Sequence, residues 1–407
     1  MTQAAESAPA RIASDTQIVA GVSAAHFVSH YYIIILPPLF ALVRADYGVS
    51  YIELGLALTV FNAVTALGQT PAGYLVDRFG PRILLISGLL LGALAFALAG
   101  IVNSFWFFVA MFALAGLSNT VYHPANYAML SHHVAAERIS RAFSIHTFAG
   151  MLGSTAAPVS LLLMQSQWGW RGAFIGSATL GIVVAIFLLL SSAPEQRVAV
   201  KPKSAASGPV GWRLLVSAPI LLNLFLFALF ALVNVGLQYY SVVALGVLYG
   251  TAPAVANSAL TAHLLFSALG VLAGGVLGGR TGRHNFVVGA GFGVVGACAA
   301  LLAAMPVGNV LIVATMATAG FFIGVTMPSR DLIVRAATPA GSFGKVFGFV
   351  SSGFNLGGIV APLIFGYAMD HGAPHWVFWL VVGFCLLYAS ASAFSGSRVL
   401  EIRRAGR

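Results

Sequence analysis

Long apolar runs separated by short breaks of glycine, proline and charge fill this chain. Runs such as Ile83–Val102 and Phe174–Leu190 are apolar on every side. A surface helix of a soluble protein keeps a polar face, and a strand of a membrane barrel alternates polar with apolar residues; neither period fits. The runs are of the length, about 20 residues, that carries a helix across a bilayer. Spans 1 to 6 are predicted near residues 17–43, 52–76, 83–102, 105–131, 141–165 and 172–191. Spans 7 to 12 are predicted near 214–246, 253–278, 286–304, 309–332, 343–368 and 374–396. Residues 192–213, with Pro194, Glu195, Arg197, Lys201, Pro202 and Lys203, read as a cytoplasmic linker. Residues 1–16 and 397–407 read as polar tails. The expected fold is an all-α polytopic membrane protein, with six-helix halves at 17–191 and 214–396.

Composition agrees. Of 407 residues, 59% are hydrophobic and 7% charged, whereas soluble domains carry about 25% charge. Thirty charges cannot cover a water-facing surface of this size, which excludes a soluble enzyme. The net charge of +10 could suggest nucleic acid, but its distribution says otherwise. With both termini in the cytoplasm, Arg11, Arg78, Arg82, Arg138, Arg141, Arg197, Lys201, Lys203, Arg213, Arg280, Arg283, Arg335, Lys345, Arg398, Arg403, Arg404 and Arg407 all fall inside. Arg44 and Arg171 fall outside, and Arg330 lies near the inner end of span 10. This bias is the positive-inside rule; the charges decorate every inner loop rather than one face. The expectation is a multi-pass protein of the cytoplasmic (inner) membrane, monomeric, in contact with lipid and not with nucleic acid. Cys298 and Cys385 sit in apolar runs, so neither a disulfide framework nor a cysteine metal site is expected. Residues 1–16 lead into a first span that is read as retained.

The two halves repeat. At an offset of 204, Ala115-Gly116, Pro124, Phe143, Leu152-Gly153 and Ala157-Pro158 match Ala319-Gly320, Pro328, Phe347, Leu356-Gly357 and Ala361-Pro362. At an offset of 202, Gly73, Arg78 and Gly80 match Gly275, Arg280 and Gly282. Parallel repeats of six spans place a substrate site at the interface of the halves, near the bilayer midplane. Between spans 2 and 3 stands Gly73-Tyr-Leu-Val-Asp77-Arg78-Phe-Gly80-Pro-Arg82, with a degenerate copy at Gly275–His284, and Trp170, Arg171, Gly172 and Phe174 precede span 6. The loop resembles the Gly-x-x-x-Asp-Arg-x-Gly-x-Arg signature of the major facilitator superfamily, and the resemblance covers nearly the whole chain. It implies a twelve-helix transporter working by alternating access, in which Gly73, Asp77, Arg78, Gly80 and Arg82 form a cytoplasmic latch. Physically, the glycines permit close helix approach and a tight turn, and Asp77 can pair with an arginine or cap the start of span 11 near Ser342–Gly344. Gly279 replaces the aspartate in the second copy, so the latch is expected to be one-sided.

Polar groups within spans are costly and mark candidate sites. Span 1 carries His26 and His30, four apart and on one face, with Ser29 and Tyr31 beside them. Span 4 carries Asn119, His123 and Asn126 as one stripe, with Tyr122 and Pro124; span 5 carries His146. Span 7 carries Asn234, Gln238 and Ser241, span 8 Asn257 and His263, span 10 Arg330 and Asp331, and span 11 Asn355. Those on spans 1, 4, 7 and 10 fall where the superfamily lines its cavity. The competing reading of each is a satisfied interhelical hydrogen bond. No carboxylate stands at mid-membrane, so histidine, with a pKa near 6.5 in water, is the candidate for proton coupling or anion binding. Arg330 tilts the substrate toward organic anions. No metal site is expected, because neither a cysteine nor a carboxylate accompanies His26, His30 and His123.

The His-rich span 1 ending in Leu36-Pro37-Pro38, the Tyr122-His123-Pro124 of span 4 and the Arg141-Ala142-Phe143 opening span 5 are similar to the fosmidomycin-resistance-type efflux permeases. Phe112 stands where drug/proton antiporters carry an arginine ahead of a glycine, and Ala157-Pro158 replaces their Gly-Pro. The expected function is secondary transport of a small organic solute, anionic or amphiphilic, coupled to protons. The alternatives are a proton-independent facilitator and a drug efflux permease. An enzyme lacks a nucleophile or metal set here, and no cofactor or Walker motif is expected.

Overall fold

The computed structural model describes residues 8–135, 138–191, 212–339 and 343–405. The start of the N-terminal tail, the linker residues 192–211, Ser342 of the expected latch and residues 406–407 lie outside the described residues.

Span 1 is broken around its proline pair. α1 (Ala8–Ile33) stops, a 3-10 turn covers Pro37–Leu39, and α2 (Phe40–Tyr47) follows, ending on Gly48 at φ +65°. Pro37 and Pro38 cannot donate backbone hydrogen bonds, which interrupts the helix at that point. Span 2 is α3 (Tyr51–Phe79) and span 3 is α4 (Pro81–Ile101), joined at Gly80 with φ +97°, a backbone angle that suits glycine. Span 4 also breaks, into α5 (Phe105–Asn119) and α6 (Tyr122–His133), just ahead of Pro124. α7 (Ile139–Leu190) holds spans 5 and 6, which part at Gly169, where φ is 68° and ψ is 174°. Span 7 comprises α8 (Ala218–Val235), a π turn at Gly236–Tyr240 and α9 (Ser241–Tyr249). Spans 8 to 12 are α10 (Pro253–Arg280), α11 (His284–Ala304), α12 (Asn309–Ala336), α13 (Phe343–Asp370) and α14 (His375–Ala405).

Among the described residues, eleven helical runs are long and apolar enough to cross a membrane, and one of them, Arg141–Leu190, contains two spans. Large apolar side chains lie bare on the outside, Leu67 at 80% and Val310 at 85% exposure. Such surface is stable against lipid rather than water.

The chain folds as two compact units, residues 1–35 with 60–202 and residues 36–59 with 203–407. In unit 1, α1 packs so closely on α7 that a side chain at Gly153 would strike the Phe27 backbone. In unit 2, α10 and α12 cross backbone to backbone, and a Cβ at Gly274 would stand 2.8 Å from the Val325 Cα. Small residues let membrane helices gain van der Waals contact at such crossings.

Residues 36–59 belong by sequence to the first six spans and by packing to unit 2. Both oxygens of Asp370, the last residue of α13, accept backbone amides at the start of α3, from Tyr51 at 2.7 Å and Ile52 at 2.8 Å. These amides have no partner within their own helix, and the carboxylate also complements the positive end of the helix dipole. The Arg44 guanidinium lies 4.2 Å from the Tyr51 ring centre, and the Thr59 hydroxyl donates to the Ile359 carbonyl at 3.0 Å.

Candidate functional site

Four of the histidines marked in the sequence meet in unit 1. His26 and His30 come from α1, His123 from α6 and His146 from α7. The His26 and His146 rings stack at 3.9 Å with 14° between planes. His30 stands edge-on to His26 at 4.5 Å, and His123 does so at 5.6 Å. Tyr127 closes one side, 5.9 Å from His123 and 6.0 Å from His146. His26 and His146 are buried, whereas His30 and His123 are partly exposed.

The hydrogen bonds fix part of the chemistry. His26 Nδ1 donates to the His146 carbonyl at 2.8 Å. A carbonyl only accepts, so the proton of neutral His26 is on Nδ1 and its buried Nε2, which has no hydrogen-bond partner, carries the lone pair. That nitrogen is a proton acceptor. His30 Nδ1 meets the Ser154 hydroxyl at 3.3 Å. Protonating both stacked rings would set two positive charges about 4 Å apart, which costs about 4 kcal/mol at an effective dielectric of 20. Only one of the two stacked rings can therefore carry a positive charge at a time.

Gly150 makes the cluster possible, since a Cβ there would lie 2.6 Å from the His26 ring and 3.0 Å from His30 Cδ2. Neither Gly150 nor Ser154 is among the residues marked in the sequence. The signal was present: His146, Gly150 and Ser154 recur at intervals of four, one face of span 5. Among the described residues no group of three or more His, Cys, Asp or Glu is arranged to hold a metal ion.

The other marked residues of unit 1 are dispersed around this cluster. Tyr31 turns to the Ser160 hydroxyl at 2.7 Å, and Tyr122 is buried. Asn119, the last residue of α5, is half-buried. Asn126 is fully buried and neither atom of its amide has a hydrogen-bond partner.

In unit 2 the polar residues pair locally. Asn234 donates to the Phe230 carbonyl at 2.9 Å and Gln238 donates to Asn234 Oδ1 at 2.7 Å, across the start of the π turn. Arg330 is 5% exposed. Its guanidinium lies 4.3, 4.7 and 5.0 Å from the ring centres of Phe227, Phe230 and Phe354, and binds Asp331 at 2.9 Å. Asn355 is half-buried next to Phe354. Sequence alone gave no sign of this aromatic cage, because its rings come from two other spans.

In the loop between spans 2 and 3, Asp77 and Arg78 are exposed, with Arg78 over the Phe79 ring at 5.2 Å. Arg82 donates to the carbonyls of Leu188, Leu189 and Ser191, closing the end of span 6. Gly80 makes the expected turn, but the close approach expected at Gly73 is absent: a Cβ there would meet nothing within 4 Å.

The profile of the Major Facilitator Superfamily matches residues 22–250 and 239–399. The chain belongs to that family and is a membrane transporter with its twelve-helix fold. It is 23% identical over 358 residues to the fosmidomycin resistance protein of Escherichia coli (strain K12), covering 87% of this chain and 86% of that one. A probable L-galactonate transporter of the same organism is 31% identical over 144 residues, 35% of this chain and 32% of that protein, so the match spans about a third of the relative. Among solved structures, a bacterial homolog of the human lysosomal transporter Spinster, in an inward-facing and occupied conformation, superposes with a TM-score of 0.77. That pair is 14% identical, with 94% of this chain and 97% of that chain covered.

Proposed function

We propose that this chain is a proton-coupled secondary transporter of a small organic anion, working by alternating access, with the four-histidine cluster of unit 1 as its proton-binding centre. The observation that carries the reading is the meeting of His26, His30, His123 and His146 around a lone pair on His26 Nε2. A proton enters through the partly exposed His30 and His123 and comes to rest on the stacked pair, where repulsion admits one. Tyr31, Asn119, Tyr122, Asn126, Asn234, Gln238, Arg330 and Asn355 supply polar contacts along the substrate path, and Gly73, Asp77, Arg78, Gly80 and Arg82 act on the conformational change. The protein works as a monomer in the cytoplasmic membrane, both termini in the cytoplasm, as the distribution of arginine and lysine supports.

The likeness to an L-galactonate transporter supports an organic anion. The full-length likeness to a fosmidomycin resistance protein supports a second reading, export of a drug by the same machinery. Purified protein in proteoliposomes, offered L-galactonate or fosmidomycin with and without an imposed pH gradient, separates the two. In the variant carrying His30→Ala and His123→Ala, the initial rate of gradient-driven uptake should fall about tenfold or more, a barrier change of at least about 1.4 kcal/mol, while exchange at equal pH persists. Undiminished response of that variant to the gradient would overturn the proton assignment.

A further inference from the structure

We infer that unit 1 carries a second binding site, for a singly charged anion with an apolar body, in the cavity between the start of α1 and the start of α7. The inference rests on the organic-anion reading for its link to transport, but the site stands on its own geometry. The cavity has a volume of about 440 Å³. At its polar end are Asp15, Arg138 and Arg141.

The three charges are unequal. Asp15 is 4% exposed, and its carboxylate accepts from Arg138 at 2.7 Å and from the Ala135 amide at 3.5 Å. This buried carboxylate fixes Arg138 in place and neutralises it. Arg141 is exposed and makes no hydrogen bond or ion pair among the described residues. Among the described residues lining the cavity, this leaves one positive charge without a carboxylate partner, on the Arg141 guanidinium. Its remaining wall is Val19, Ala20, Val134, Ala142 and Ile145, with Thr16 the single hydroxyl. Such a lining satisfies one anionic group and an aliphatic or aromatic body. It gives little to a polyhydroxylated sugar acid, whose hydroxyls would be buried without partners.

The cavity is also placed to serve the histidine cluster. Asp15 and His26 lie on the same helix, eleven residues apart, which is about 16 Å at 1.5 Å per residue. Ile145, on its wall, precedes His146. An anion held here waits one helix half-length from the proton-binding centre. An anionic phospholipid headgroup presents the same chemistry as a free amphiphilic acid, and the test distinguishes them.

Benzoate binding to the full-length protein in a neutral detergent is measured by calorimetry, beside L-galactonate as the polar control. Arg141→Gln, which removes an exposed and unpaired side chain, should weaken benzoate about tenfold. Asp15→Asn should tighten it several-fold, because the carboxylate no longer competes for Arg138. L-galactonate should bind more weakly than benzoate at this site. A parallel measurement in nanodiscs with and without phosphatidylglycerol identifies the source: competition by that lipid, lost in Arg141→Gln, marks a site a headgroup also fills. Benzoate affinity unchanged in Arg141→Gln would overturn the site, whatever Asp15→Asn does. Arg141-dependent benzoate binding in a protein that fails to transport anions would leave the site standing and remove the organic-anion reading.

Discussion

The polar centres of the two units are built at corresponding places from opposite materials. The 204-residue offset that relates the halves carries His26 onto Phe230, Gly150 onto Phe354 and Asn126 onto Arg330. In unit 2 those positions form a permanent charge held against phenylalanine faces at 4.7 and 5.0 Å. In unit 1 the same positions hold a titratable ring, an empty slot and an uncharged amide. Filling the slot with Phe354 gives the guanidinium a face to lie on; leaving it as Gly150 lets His26 and His30 come together. One duplicated framework thus yields a centre whose charge can change and a centre whose charge is fixed. Fixed charge in an aromatic cage is suited to holding α8, α12 and α13 together, whereas clustered imidazoles with an unpartnered lone pair are suited to taking up and releasing protons.

The contrast is broken most severely at Arg330. Arg330→Ala removes three desolvated ring contacts, each worth up to about 2 kcal/mol, and leaves a cavity. The loss should be at least about 3 kcal/mol, read as a fall in thermal stability in detergent. Arg330→Met fills the space against the three rings and should recover part of that stability, since Asp331 is half-exposed and its charge stays solvated. If Arg330→Ala were as stable as the parent, the anchor role would fail. Next in size is Gly150→Val, which converts the unit 1 slot toward its unit 2 counterpart. Its branched side chain must displace His26 or His30, so gradient-driven transport should drop about tenfold or more while the protein still folds. Transport at parental rate would show that ring packing is irrelevant to coupling.

A smaller effect is expected where α3 begins. Asp370→Ala removes a carboxylate that caps two free amides at 2.7 and 2.8 Å, and should cost about 1–2 kcal/mol of thermal stability. Asp370→Asn, which keeps an acceptor oxygen but loses the charge, should recover about half.

The spans were legible in the sequence because each is a continuous apolar run between glycine, proline and charge, and Gly169 and Gly80 stand at the junctions predicted from that punctuation. The four histidines were legible as costly polar groups within such runs. Their assembly was marked only by the four-residue spacing of His146, Gly150 and Ser154, since Gly150 contributes space rather than chemistry. The cage around Arg330 was hidden for a related reason: Phe227, Phe230 and Phe354 look like any lipid-facing aromatics until α8 and α13 meet. Breaks were legible in part. Pro37-Pro38 end α1, but the π turn at Gly236–Tyr240 has no proline to announce it. The binding of Tyr51 and Ile52 by Asp370 joins positions more than 300 residues apart, and local pattern carries no trace of it.

The last test has the opposite sign. Asn126 stands where the repeat puts Arg330, fully buried, with both amide atoms unpartnered. An unpaired buried amide costs about 1–3 kcal/mol, so Asn126→Leu, close in volume and free of that cost, should raise thermal stability by about 1 kcal/mol. On the proposed substrate path the amide finds its partners in the solute, so the same variant should transport more slowly. If Asn126→Leu gained stability and kept full transport, Asn126 would be a relic of the duplicated position and would leave the proposed substrate path. If it lost stability instead, the amide is satisfied within the folded unit, and the two polar centres are more alike than their residues suggest.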